Sequence, residues 1–104
     1  AQNADGLTMK GYLVLDLSIV DLKGFMEYVQ KIPEFIKKHG GRYIVQGVEP
    51  ELIEGDWVPN RLVVLEFPTQ DDAKAFLSDP DAQPLFSLRH KTTKSNLILA
   101  AGCA

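Results

Sequence analysis

Residues 61–69, with the sequence RLVVLEFPT, restrict the possible folds more than any other stretch of the chain. An almost continuous apolar run begins at Leu62, only Glu66 interrupts it, and Thr69 then offers a helix-start signal. Such a run is typical of a central strand that is buried on both faces of a sheet. Because burial of an unpaired carboxylate is costly, Glu66 needs either a partner or a chemical task.

The residues before this stretch predict a strand and then a long helix. Residues 12–18 alternate between a leucine face and a mixed face, as a half-buried strand does. Apolar side chains then recur at spacings of three and four over residues 25–36, after a possible N-cap at Asp21. Pro33 falls inside this pattern and predicts a kink or break near Lys31.

The remaining elements follow from similar signals. A glycine pair at residues 40–41 ends the helix, and Arg42–Val48 reads as a second strand. Residues 49–60 are acidic and proline-containing, and predict a long connection with a short ordered arm near Leu52. Beyond the central stretch, Thr69 caps a second helix, residues 84–90 predict a short helical piece, and residues 95–101 predict the last strand.

The order strand, helix, strand, strand, helix, strand predicts an α+β, ferredoxin-like fold. We expect a four-stranded antiparallel sheet in the order four, one, three, two, with the helices on one face. Residues 10–102 would form this single domain, and residues 1–9 an N-terminal extension or a cloning remnant. The face away from the helices is still about half apolar, so we expect a second copy to cover it, sheet to sheet, in a homodimeric α/β barrel.

Polar residues are expected to converge at one end of this second face. If strands one and three run parallel as neighbours, Asp16 and Glu66 lie near the same end. Antiparallel partners would add Arg42 beside Glu66 and Asn96 beside Asp16. A register slip of one residue would exchange Arg42 for Tyr43.

Two interpretations of this convergence stay open. In the first, repulsion between Glu66 and Asp16 raises one carboxyl pKa, so that one of them acts as a general acid or base while Arg42 binds an anionic substrate. In the second, Arg42 only neutralises buried acids in a structural network. An apolar wall beside clustered polar groups is typical of a small-molecule site, which keeps the first interpretation open.

Further substrate-binding candidates complete the predicted site. Tyr12 and Asn96 share the second face of the sheet, and Trp57 is either a lid over the local core or a ligand platform. Tyr28 lies on the buried helix stripe, where its hydroxyl needs a partner and could reach a cavity edge. Arg61 is a candidate only through the resemblance described below.

Other polar residues are interpreted as structural. Arg89 and Arg61 are read as surface ion-pairing residues, His90 as part of a solvated basic run, and His39 as a helix C-cap. The histidines have no metal-ligand spacing, and the chain has no glycine-rich phosphate loop, so we expect neither a metal nor a cofactor.

Composition excludes several classes of function. A net charge of −3 and the absence of a basic stripe argue against nucleic-acid binding. No apolar run approaches the roughly 20 residues that cross a bilayer. The single Cys103 forbids an internal disulfide, and we expect it to be an exposed thiol. A cytoplasmic location is the working expectation.

Several short motifs together resemble the bacterial family called domain of unknown function 1330. They are Lys10-Gly11-Tyr12, Gly40-Gly41-Arg42-Tyr43, Glu54-Gly55-Asp56-Trp57-Val58-Pro59, Arg61 and Glu66-Phe67-Pro68. This resemblance implies a ferredoxin-like protomer of the dimeric α/β-barrel superfamily, which includes muconolactone isomerases, cofactor-free quinol monooxygenases and haem-degrading enzymes. It implies site roles for Arg42, Trp57, Arg61 and Glu66, but no particular reaction. Ala82 departs from the family pattern, because an aromatic residue is common there.

Three hypotheses about function follow. The protein is a cofactor-independent acid/base enzyme, of isomerase or monooxygenase type, that acts on a small anionic or carbonyl metabolite. Alternatively it is a non-catalytic module that binds a small ligand, or a structural dimer in which the polar cluster only specifies strand pairing.

Overall fold

The computed structural model describes residues 9–103, which contain four strands and three helices. Their order is β1 (Gly11–Ile19), α1 (Leu22–Lys38), β2 (Arg42–Val48), β3 (Arg61–Phe67), α2 (Gln70–Ser78), α3 (Gln83–Thr92) and β4 (Thr93–Ala101). The predicted N-terminal extension lies outside the described residues except for Met9.

The strands form one sheet in the order β2-β3-β1-β4, and every neighbouring pair is antiparallel. The predicted α+β, ferredoxin-like topology is therefore confirmed. Alternation along each strand separates two faces of the sheet. The helix face carries the buried side chains that share a core with α1 and α2, namely Leu13, Leu15, Leu17, Leu65 and Phe67. The open face carries Tyr12, Val14, Asp16, Arg42, Leu62, Val64, Glu66, Asn96 and Ile98.

The expectation that strands one and three run parallel is wrong. The crossover through α1 makes β1 and β2 parallel, and the chain then reverses direction between β2 and β3. Since β3 lies between β1 and β2, it must run antiparallel to both. In the observed register Tyr12 faces Glu66, and Asp16 faces Leu62.

The predicted helix caps at Asp21, Thr69 and His39 are confirmed, whereas α3 extends beyond the predicted residues 84–90 at both ends. The side chain of Asp21 accepts a hydrogen bond from the backbone N–H of Gly24 at 3.2 Å. Thr69 Oγ1 accepts one from the backbone N–H of Asp72 at 3.0 Å. His39 is the C-cap of α1, and Gly40 follows it with φ of 79°, a left-handed conformation that glycine adopts without strain.

The prediction near Lys31 was a kink or a break; the break is wrong, because the helix runs without interruption from Leu22 to Lys38. Pro33 lies on its exposed side, whereas Ile32 and Ile36 are buried in the core. The packing of these two side chains holds the helix on both sides of the missing backbone hydrogen bond.

The connection between β2 and β3 contains neither helix nor strand, so the ordered arm predicted near Leu52 is absent from residues 49–60. Its apolar side chains Ile53 and Trp57 are largely exposed.

Cys103 is exposed, as predicted. Among residues 9–103, no helix has the length and apolar content needed to cross a lipid bilayer.

The corner between α2 and α3 is tied to the end of α1 by one buried carboxylate. Asp79 Oδ2 accepts a hydrogen bond from Lys38 Nζ at 2.8 Å and lies 2.8 Å from His39 Nε2. The hydrogen bonds from Lys38 and His39 hold the pKa of Asp79 well below its usual range. This ion pair fixes the helix layer against which the sheet packs.

Candidate functional site

Glu66 is the centre of a polar cluster at one end of the open face. Its carboxylate accepts hydrogen bonds from Tyr12 Oη at 2.7 Å, from Arg42 Nε at 2.9 Å and from Lys10 Nζ at 3.3 Å. The Glu66 side chain is only 11 % exposed, while Lys10 and Arg42 extend into solvent. The predicted placement of Arg42 beside Glu66 on the open face is confirmed.

These donors stabilise the ionised form of Glu66. The hydrogen bond from Tyr12, followed by that from Arg42, lowers the pKa of Glu66 from 4.5 to about 2. The same contact raises the pKa of Tyr12. At neutral pH Glu66 is therefore a carboxylate with little tendency to accept a proton.

Asp16 lies in a different place from Glu66. It is four residues further along β1 than Tyr12, the partner of Glu66, which corresponds to about 13 Å along the strand. Asn96 faces Asp16 across β4, as predicted, and the indole N–H of Trp57 donates to Asp16 Oδ2 at 3.3 Å.

The expected convergence of the two acids on the open face is therefore wrong, because β1 and β3 are antiparallel. The expectation that mutual repulsion raises a carboxyl pKa also fails for Glu66. Its neighbours are cations and a hydroxyl rather than Asp16, so its pKa falls instead.

A cavity of about 370 Å³ lies on the other side of the sheet, between the helix face and the helices. Its walls are mainly leucine, isoleucine and aromatic side chains from β1, α1, β3 and β4. The polar side chains that line it are Tyr28, Tyr43, Gln46, Arg61 and Arg89. None of the described lining residues is acidic. Since Leu22, Met26 and Arg61 line the cavity and are exposed, its mouth lies beside them.

Arg89 is the unusual member of this lining. It is 5 % exposed, and its guanidinium lies over the rings of Tyr28 and Phe86 at 5.9 and 5.6 Å from their centroids. Nη1 reaches the Tyr28 hydroxyl only at a long 3.5 Å, and Nη2 lies 3.3 Å from His90 Nε2. Within residues 9–103, Nε has no hydrogen-bond partner, and no carboxylate forms an ion pair with the guanidinium.

The interpretation of Arg89 as a surface residue is therefore wrong. It lies four residues after Leu85 and three before Thr92, both of which are buried on α3. That spacing places it on the inward side of the helix, and this was the signal in the sequence that could have identified it. His90, one position further along, is exposed, as predicted.

The two tyrosines of the cavity are hydrogen-bond donors at neutral pH. Burial raises the pKa of Tyr28, although the nearby Arg89 partly opposes this shift. Burial also raises the pKa of Tyr43 to about 12. Together with Arg89, these hydroxyls make the interior of the cavity suited to oxygen atoms that carry negative charge.

The predicted site residues thus fall into three separate places. Tyr28 and Arg61 line the cavity, where Arg61 Nη1 donates to the Gly47 carbonyl oxygen at 3.4 Å near the mouth. The Glu66 cluster occupies one end of the open face, and Asp16 with Asn96 and Trp57 occupies the other. No group of three His, Cys, Asp or Glu side chains within residues 9–103 is arranged to hold a metal ion.

Solved structures with this fold share little sequence with the chain. A protein of unknown function from Rhodopseudomonas palustris aligns with a TM-score of 0.77 at 14% identity, over 93% of this chain and 85% of that one. SnoaB, a cofactor-independent oxygenase from Streptomyces nogalater, aligns with a TM-score of 0.62 at 12% identity, over 92% and 95%. A dimeric ferredoxin-like protein of unknown function from Thermobifida fusca aligns with a TM-score of 0.54 at 12% identity, over 97% and 98%.

At these identities the likeness establishes the fold, which defines a small ferredoxin-like α+β domain with a ligand-sized cavity under its helices. The sequence narrows this class to one family. Residues 10–103 match the family described as domain of unknown function DUF1330, and the chain belongs to it. No protein with a curated description matches the sequence.

Replacement of Tyr12 by Phe removes the shortest hydrogen bond to Glu66 and should raise the Glu66 pKa from about 2 towards its ordinary value of 4.5. The side-chain carboxyl carbon of Glu66, followed by NMR between pH 1.5 and 6, reports this shift. Tyr43→Phe is the matched control, since Tyr43 lines the cavity on the other face and should leave the Glu66 titration unchanged. Equal Glu66 pKa values in the wild type and Tyr12→Phe would show that the hydrogen bond from Tyr12 is not the main cause of the low Glu66 pKa.

Proposed function

We propose that the protein binds a small carbonyl-bearing or anionic metabolite in the cavity under the helices and acts on it without a cofactor. The reaction would be of isomerase or monooxygenase type. The observation that carries this proposal is the cavity itself. Its volume of about 370 Å³ and its apolar lining with a few polar groups are typical of small-molecule sites.

The polar lining supports a particular kind of chemistry. A carbonyl substrate that loses a proton becomes an anion, and buried cationic and hydroxyl donors stabilise such an anion strongly. Arg89 and Tyr28 supply these donors, while the described lining includes neither a carboxylate nor an imidazole. Water or hydroxide that enters through the mouth beside Arg61 would therefore accept the proton.

The comparisons add limited support for an oxygenase. SnoaB, which shares the fold, is described as a cofactor-independent oxygenase. Cofactor-free oxygenation of this kind would use the stabilised substrate anion and dioxygen. Proton transfer by Glu66 or Asp16 on the open face is the alternative location of the chemistry, although the depressed pKa of Glu66 weakens it. A non-catalytic module that binds the same metabolite is the alternative function.

Prodan, a neutral fluorescent naphthyl ketone, tests whether the cavity accepts carbonyl ligands. Its emission should shift to the blue when the wild-type protein is added, because the cavity is apolar. Val63→Phe should weaken that shift by narrowing the cavity, since Val63 lines it. Val64→Phe makes the same change on the next residue, which points to the open face, and should preserve the shift.

The two variants also test catalysis. With 1,4-dihydroxynaphthalene in metal-free buffer, oxygen uptake should be faster with wild type and Val64→Phe than with Val63→Phe. Equal uptake in all three proteins, with prodan still bound by the wild type, would overturn the oxygenase proposal and favour the binding module. Failure of the wild type to bind prodan or any small carbonyl compound would overturn the cavity proposal as a whole.

We also propose that the protein forms a homodimer through the open face, in the cytoplasm. The open face exposes apolar side chains, among them Ile98, which is 61% exposed. An uncovered apolar sheet face favours association. The dimeric state of the structurally similar Thermobifida fusca protein adds support.

Ile98→Glu should convert the dimer to a monomer, because it places a charge in the proposed interface. Static light scattering at micromolar concentration measures the mass, and circular dichroism should show an unchanged fold. Val20→Glu is the matched control: Val20 is 64% exposed in the bend between β1 and α1, outside the strands of the sheet, and this variant should remain dimeric. A monomeric wild type, or a dimeric Ile98→Glu, would rule out this interface.

A further inference from the structure

We propose that Arg89 makes the cavity selective for monocarboxylates, with the carboxylate held by the guanidinium and an apolar, preferably aromatic, body lying along the cavity wall. This inference rests on the proposed function, because it takes the cavity to be a ligand site. It goes further by naming the charge and the chemical class of the ligand.

The charge balance of the cavity supports an anionic ligand. The guanidinium of arginine is a cation, and Arg89 is 5% exposed. Transfer of an unpaired charge from water into a protein interior costs several kcal/mol, so buried arginines normally have a carboxylate partner. Among residues 9–103, Arg89 has no such partner, and the described lining of the cavity includes no acid. A bound carboxylate would supply the missing charge.

The free donors of Arg89 fit a carboxylate in particular. Nε–H has no acceptor among the described residues, and the Nη1 contact with Tyr28 is long. Nε–H and a neighbouring Nη–H are parallel donors, and a carboxylate accepts both at once. The Tyr28 hydroxyl, which stays protonated, can donate to the same ligand.

The contacts within the protein do not replace this ligand. The rings of Tyr28 and Phe86 face the guanidinium and attract its charge, but they leave the N–H groups in its plane without acceptors. His90 Nε2 contacts Nη2 alone. Cation–π attraction thus explains how Arg89 tolerates burial, while the hydrogen-bonding capacity of its guanidinium stays incompletely used within residues 9–103.

The size and walls of the cavity define the rest of the ligand. A volume of about 370 Å³ holds a body of one or two rings. Phe25, Tyr28, Tyr43 and Phe76 contribute aromatic surface, which suits a planar partner. Two charged side chains, Arg61 and Arg89, belong to the described lining. Arg61 is exposed at the mouth, so Arg89 is the one that is buried. One buried positive charge favours a ligand with one negative charge.

Three naphthalene compounds of nearly equal shape test the inference on the wild-type protein. They are 2-naphthoate, 2-acetonaphthone and 2-(aminomethyl)naphthalene, which at pH 7 carry charges of −1, 0 and +1, respectively. Isothermal titration calorimetry should find that naphthoate binds about tenfold or more tightly than the neutral ketone, as a charge-assisted hydrogen-bond pair requires. The cation should bind more weakly than either.

Arg89→Met keeps an apolar chain similar to the aliphatic part of arginine and removes the guanidinium with its charge, so it should abolish the preference for naphthoate over acetonaphthone. Lys91→Met is the matched control: it removes an exposed positive charge from the same helix, outside the described lining, and should leave that preference intact. Equal affinity of the wild type for naphthoate and acetonaphthone would overturn the inference while the proposed function stands. Failure of all three compounds to bind would overturn both. If Arg89→Met does not fold, the order of the three affinities in the wild type still decides.

Discussion

The antiparallel pairing of β1 with β3 at the centre of the sheet is the constraint on which the rest of the structure depends. It sets Leu13, Leu15 and Leu17 opposite β3 residues of the same face, so that the side of the sheet under the helices is largely apolar. The same pairing puts Tyr12 next to Glu66 and moves Asp16 to the far end of the open face. Within residues 9–103, the sheet therefore has the Glu66 cluster and the Asp16 group at opposite ends of one side, and the cavity on the other.

The two sides of the sheet differ in whether their charged side chains have partners of opposite charge. On the open face, hydrogen bonds from Tyr12, Arg42 and Lys10 compensate the charge of Glu66 and lower its pKa, so that it stays ionised at neutral pH. Under the helices, the guanidinium of Arg89 is buried against aromatic rings without a carboxylate among the described residues. A local violation of charge pairing costs stability, and proteins tend to retain such violations where a ligand completes the arrangement. Because Glu66 has charged partners and Arg89 has none among the described residues, the cavity is the better candidate for a ligand site than the open face.

Much of the fold could be predicted from local patterns. Alternation in β1 and β3, the caps at Asp21 and Thr69, and the pairing of Arg42 with Glu66 all follow from rules that act over a few residues or one strand pair. The parallel direction assigned to strands one and three was an error of topology that the element order itself could have corrected. The break expected at Pro33 failed because buried neighbours outweighed the loss of one backbone hydrogen bond.

The site was harder to predict than the fold, for a physical reason. The cavity exists because side chains from several elements leave space between them, and no local pattern encodes that space. Arg89 followed the helical spacing of Leu85 and Thr92, but its charged neighbours made the segment resemble a solvated surface. A carboxylate within an apolar strand is rare and therefore indicates a special role, whereas an arginine near a helix end is common and indicates none.

The side-chain Nε–H resonance of Arg89 in ¹⁵N-labelled protein tests the central claim most directly, because that donor has no acceptor among the described residues. When 2-naphthoate is added, this proton should shift downfield and show nuclear Overhauser contacts to the naphthalene ring, whereas the Nε–H of Arg42 should not change. Saturable binding of naphthoate with no change at Arg89 would contradict the claim that the guanidinium under the helices holds the ligand.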